Sequence, residues 1–158
     1  AYKKDNTLNT YDGYMESSLD RTIEDYKSVT DEKSNIIISR FSNAMKNAEW
    51  LFGRKYAFRK IRPKDLVEDA SKQLLNKALF EVWSVLLSEI SPEEIQKNFK
   101  EGYMCDKFSN LLENDSQLMY YLSYGTNGKT NMMYVFKTIK ELINKELQNN
   151  ASDRITQF

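Results

Sequence analysis

Six cations crowd one short stretch of this 158-residue chain: Arg54, Lys55, Arg59, Lys60, Arg62 and Lys64, with no acid among them. Tyr56 and Phe58 are interleaved with them. Cations neutralise phosphates and exposed aromatic rings stack on bases, so the stretch has the make-up of a contact for nucleic acid or a phosphate. A second reading makes it a solvated loop, pinned to the core by Tyr56 and Phe58, whose cations pair with an acidic segment. Such a segment exists. Between residues 12 and 32 stand Asp12, Glu16, Asp20, Glu24, Asp25, Asp31 and Glu32 against Arg21 and Lys27, a net −5 facing the +6 of residues 54 to 64. The chain holds 23 basic and 23 acidic residues, so its zero net charge is a cancellation and does not argue against an anionic partner.

Gly128-Lys129-Thr130 ends a near-match to the phosphate-loop pattern G-x-x-x-x-G-K-[ST], with a helical pattern following. Ser123 stands where the first glycine belongs, and only 28 residues follow Thr130, too few for the rest of a parallel sheet. The alternative is a helix stop at Gly125 and a cap at Thr126 or Asn127 for the next helix. Other chemistry is thin. With no His there is no Ser-His-Asp or Cys-His machinery and no His-based metal site in this chain, and one Cys excludes an internal disulfide and a four-Cys zinc site. Cys105 lies among apolar neighbours and reads as a small core residue. Asp25-Tyr26-Lys27 and Asp31-Glu32-Lys33 end like the D-x-K of a nuclease motif, but they fall at helix starts. No metal or cofactor is expected.

These residues need elements to hold them, and the apolar spacing is helical throughout. Residues 1–13 form a polar lead-in. Met15, Leu19, Ile23 and Tyr26 mark a first helix. Thr30, followed by Asp31 and Glu32, caps a second with the stripe Ile37, Phe41, Ala44, Met45, Ala48, Leu51 and Phe52, stopped by Gly53. Residues 54–70 form the cationic connector, with Arg62 extended ahead of Pro63. A third helix is expected from Ser71 to Ile90 on Leu74, Leu75, Ala78, Leu79, Val82, Trp83, Leu86 and Leu87, with a charge at Leu79 or Leu86 expected to prevent folding. Ser91-Pro92-Glu93-Glu94 starts a fourth, carrying Ile95, Phe99, Met104, Phe108, Leu111 and Leu112 past a bend at Gly102. Asn114-Asp115-Ser116 is a break. A short helix uses Leu118, Met119 and Leu122. The last, from Lys129, uses Met132, Phe136, Ile139, Leu142, Ile143 and Leu147. The expectation is an all-α, irregular bundle of five to six helices forming a single domain over residues 14–148, with a frayed tail at 149–158. No apolar run approaches the ~18–20 residues that span a bilayer, and no signal peptide is apparent, so a cytoplasmic protein with no membrane partner is expected.

Several segments, in order, resemble a known family. Phe41 to Lys60 reads FSNAMKNAEWLFGRKYAFRK, Asn76 to Leu87 reads NKALFEVWSVLL, and Leu112 to Lys129 reads LENDSQLMYYLSYGTNGK, before an apolar helix. Together, over Phe41 to Ile143, they resemble the C-terminal helical part of the GmrSD-type restriction family (domain of unknown function 262), whose N-terminal half is a ParB/sulfiredoxin-like NTPase. That family's Asp-Gly-Gln-Gln-Arg motif and the His-containing nuclease half of some members are absent here, and Val135 stands where the family often places Arg. The resemblance implies a non-catalytic helical fragment of a bacterial restriction or defence protein. It would pack on an absent N-terminal NTPase domain of the same protein and bring the six connector cations to DNA or a nucleotide phosphate. The alternative is an autonomous protein–protein interaction module with segregated acidic and basic faces.

Overall fold

The computed structural model describes residues 20, 23–24, 26–27, 29–124 and 128–155. The expected lead-in, most of the first helix, the stop at Gly125 and the cap at Thr126 or Asn127 lie outside these residues. Among the described residues there are six longer α-helices: α1 (Asp31–Tyr56), α2 (Lys77–Ser88), α3 (Pro92–Asn98), α4 (Tyr103–Asn114), α5 (Ser116–Ser123) and α6 (Lys129–Ile155). The single β feature among them is an isolated antiparallel bridge between Arg59 and Leu75. The all-α, irregular bundle is therefore observed.

One core gathers residues from every helix. At its centre Phe52 of α1, Trp83 of α2 and Phe108 of α4 meet edge to face, with ring centroids 4.8 Å apart for Phe52–Trp83 and 5.4 Å for Trp83–Phe108. Leu79, Leu87, Ile95, Met104, Leu118, Ile139 and the connector residue Ile61 surround this triad and are buried. Edge-to-face rings add about 0.5–1.5 kcal/mol per pair beyond the apolar area they bury.

Helix starts follow the caps in the sequence. The side chain of Thr30 accepts from the Lys33 N–H, that of Ser91 from the Glu94 N–H, and that of Asp115 from the Leu118 N–H. Each satisfies a backbone donor that a helix start leaves open.

Four boundaries differ from expectation, each for a local reason. α2 begins at Lys77, not Ser71, because Asn76 is committed three ways. It accepts from the Leu79 N–H (3.0 Å), donates Nδ2 to the Leu122 carbonyl (2.7 Å) and gives its backbone N–H to Phe58 O (2.9 Å). Leu74 and Leu75 precede that cap in extended chain and are exposed, so their helical spacing was coincidental. The expected fourth helix is two helices, because Gly102 takes φ +74° and donates its N–H to Trp50 O at 2.8 Å. Gly53 breaks α1 without ending it: it takes φ +65°, ψ 168°, and one more turn follows to Tyr56. Finally, α6 runs to Ile155, past the boundary expected at Gln148. Leu86 also differs. It is half-buried on the wall of a cavity, so a charge there would be tolerated better than at fully buried Leu79.

Candidate functional site

The connector is held by its own cations. Lys55 Nζ donates to the carbonyls of Val67 (3.3 Å) and Glu68 (2.9 Å) and lies 5.3 Å from the Tyr56 ring centroid. Arg59 donates Nη1 to Ala57 O (2.7 Å) and Nε to Gln73 O (2.7 Å), clasping both sides of the bridge with Leu75. Between those carbonyls Phe58 sits at φ +59°, a left-handed conformation that costs a non-glycine residue about 1–3 kcal/mol. The Arg59 clasp, the Asn76 N–H and an edge contact to Phe80 (5.0 Å) hold it there. Arg54 pairs with Glu49 at 2.6 Å, which raises its already high pKa through the hydrogen bond and the charge of that carboxylate. The partners of these cations are thus carbonyls and Glu49. None of the ion pairs among the described residues joins the connector to the acidic 12–32 segment.

The remaining three cations stand differently. Ile61 is fully buried and anchors the chain, between half-buried Lys60 and exposed Arg62. Arg62 has φ −111°, ψ 163°, as its place before Pro63 requires, and its N–H donates to Asp65 Oδ2 at 2.8 Å. Lys60 Nζ donates to Ser123 Oγ at 3.0 Å, joining the connector to the end of α5. Lys64 is exposed in a 3-10 turn, Pro63–Leu66.

Gly128, Lys129 and Thr130 form the start of α6, where Gly128 O accepts from the Met132 N–H at 2.9 Å. The element that enters this turn is the helix α5, not a strand. A phosphate loop owes its geometry to a strand feeding a glycine-rich turn, whereas here the described elements on both sides of residues 125–127 are helices. Cys105 is half-buried, with Sγ 3.4 Å from Phe52 O, beside the break at Gly53. Burial, and then the charge of Asp106, push its thiol up to about 11. A nucleophilic cysteine needs the opposite shift.

Two features carried no motif. The first is the amino-terminal part of α1. Its apolar stripe Ile37, Phe41, Ala44, Ala48 and Leu51 is continuous at helical spacing, yet burial begins only at Ala44. Ile37 is 39% exposed and Phe41 52%, while Ile36 and Ile38 are also exposed. Arg40 pairs with Glu89, and Glu89 also lines a cavity of about 200 Å³ walled by Val85, Leu86, Ile90, Phe136 and Ile143. The second is a set of tyrosines on α5 and α6, where Tyr120 (59%) and Tyr124 (66%) are exposed. Elsewhere the buried carboxylate Glu146 accepts the Tyr103 hydroxyl at 2.7 Å and lies 3.6 Å from Lys107 Nζ. Burial and Glu146 together raise the Tyr103 pKa, keeping it a proton donor that ties α4 to α6. Val135 and Phe136, the pair where the resembled family often has an Arg, are both core residues here.

The fold and these surfaces define an all-α bundle with a self-clasped cationic connector, an apolar helix end and an aromatic face. No family model, no curated protein and no solved structure matches the chain. Among the described residues no helix is long and apolar enough to cross a membrane, and no group of three or more His, Cys, Asp or Glu could hold a metal ion.

Proposed function

We propose that this chain is a non-catalytic helical docking module, which takes a folded protein domain on the amino-terminal end of α1. The observation that carries the reading is the stripe that is core from Ala44 onward and bare at Ile37 and Phe41. Contiguous exposed apolar side chains on an otherwise well-packed protein mark interaction surfaces. The bare end is the end at which α1 is entered, so a domain joined upstream would be tethered beside it at high effective concentration. The resemblance to the helical part of GmrSD-type proteins supplies the partner class: a ParB-like NTPase domain of the same polypeptide, in a bacterial restriction or defence protein. The non-catalytic part of the reading is supported by the absence of His and by a cysteine held as a thiol.

The reading frame upstream of Ala1 tests the parentage. An Asp-Gly-Gln-Gln-Arg segment there supports it, and an initiator codon directly before Ala1 contradicts it. Amide hydrogen exchange tests the docking. Amides of residues 35–41 are expected to exchange fast in the isolated chain and to be protected in the longer product. Equal exchange in both would sink the proposal. Should the isolated chain instead sediment as a concentration-dependent dimer that Ile37→Asp abolishes, the surface serves self-association, the alternative interaction module.

A further inference from the structure

We propose that the outer face of α5, together with Lys60 and Arg62, is a stacking platform for single-stranded nucleic acid, independent of the docking surface on α1. Tyr120 and Ser123 lie three residues apart on α5, and Tyr124 caps its end in an extended conformation, its N–H donating to Tyr120 O at 2.8 Å. The rings of Tyr120 and Tyr124 lie 5.6 Å apart, tilted by 40°, and Tyr121 continues the row 5.9 Å from Tyr120. Behind it Tyr134 of α6 meets Tyr121 at 5.5 Å. The inner two rings are fixed by their hydroxyls: Tyr121 accepts from Gln117 Nε2 (2.9 Å) and Tyr134 donates to Asp115 Oδ2 (2.9 Å). The outer two, Tyr120 and Tyr124, are exposed.

Cations lie alongside. The 3.0 Å bond from Lys60 Nζ to Ser123 Oγ sets an ammonium at the end of α5 that carries the two exposed rings. Arg62, two residues further along the connector, is exposed, and Lys129 stands at the start of α6. Lys60, bonded to Ser123, and exposed Arg62 are the cations offered to a sugar-phosphate backbone. Of the acids nearby, Asp65 is engaged with the Arg62 N–H and Gln73, and Asp115 with the Tyr134 hydroxyl and the Leu118 N–H. Exposed rings beside these cations match what single strands require: bases stack on any aromatic face, and phosphates are neutralised by nearby cations. A duplex keeps its bases stacked on one another and cannot use the tyrosines, so the surface selects single strands.

Fluorescence anisotropy of a labelled oligouridylate of about twelve nucleotides, within the range that one binding face covers, tests this at low salt. The expected result is binding that weakens steeply with salt and is at least about tenfold weaker for Tyr120→Ala/Tyr124→Ala, as the loss of one or two stacked bases implies. Tyr120→Phe/Tyr124→Phe should bind like the native chain, because the π-faces remain. Arg62→Glu should weaken binding and flatten the salt slope. Both tyrosines are exposed, so the helical circular dichroism of each variant should match the native chain. Absence of binding at low salt, equal affinity for a duplex of the same length, or alanine variants that bind unchanged would each overturn the proposal.

Discussion

The two halves of α1 carry the same stripe and meet different surroundings. From Ala44 to Phe52 the stripe is almost fully buried, with Phe52 against Trp83 and Phe108; at Ile37 and Phe41 it is exposed. The amino acids do not distinguish the halves, since both are apolar at i, i+3 and i+4. What differs is whether α2 reaches them. α2 ends at Ser88, where Asn47 Nδ2 donates to the carbonyls of Leu87 (2.9 Å) and Ile90 (2.8 Å) and the Arg40–Glu89 pair closes the contact. Amphipathicity therefore shows that a face is meant to be covered, and only the length of the neighbouring element shows by what.

The sharpest contrast comes from the buried half. Leu51→Ala should cost about 2–5 kcal/mol, the range for truncating a core leucine, read as a lower urea midpoint at unchanged slope. Removal of the Asn47 side-chain amide at the seam between the halves (Asn47→Ala) strands two carbonyls at the end of α2 and should cost about 1–3 kcal/mol. A loss below half a kcal/mol would mean that water replaces those bonds. Gly53→Ala should cost a similar amount, about 1–3 kcal/mol, through strain alone. Its φ of +65° with extended ψ belongs to glycine, while an added Cβ would meet nothing within 4 Å. Ile37→Asp/Phe41→Asp should change the stability of the isolated chain by under about 0.5 kcal/mol, as for exposed positions without partners.

A small effect belongs to Cys105, which faces the broken turn of α1. Its thiol is raised, so the folded chain holds a proton that the unfolded chain releases at lower pH. That contribution to stability is complete below the ordinary cysteine value and fades as pH rises toward about 11. Alkylation should accordingly be slow in the folded chain at neutral pH and fast after unfolding. Fast native alkylation would contradict the burial.

The helical class and the caps at Thr30 and Ser91 were legible in the sequence because caps and periodicity are local. Asp115 also caps a helix, at a position that the sequence marks only as a break. What was not legible depends on distant chain. Leu74 and Leu75 continue a helical pattern, but Asn76 is drawn to Phe58 and Leu122 and the helix starts late. Arg59 looked like a phosphate ligand, yet three carbonyls claim it, so Arg59→Glu would unclasp the connector instead of testing for nucleic acid. Lys60 and Arg62 are the better probes. Tyr120 and Tyr124 carry no motif, and only the packing of α5 on α6 shows that they face out.

The stability of Ile37→Asp/Phe41→Asp, measured by urea unfolding at low protein concentration, tests the central claim most directly. The account predicts a midpoint indistinguishable from that of the native chain, with Leu51→Ala well below both. A loss in the double variant comparable to that of Leu51→Ala would mean that the end of α1 is part of this chain's own core, and would contradict it.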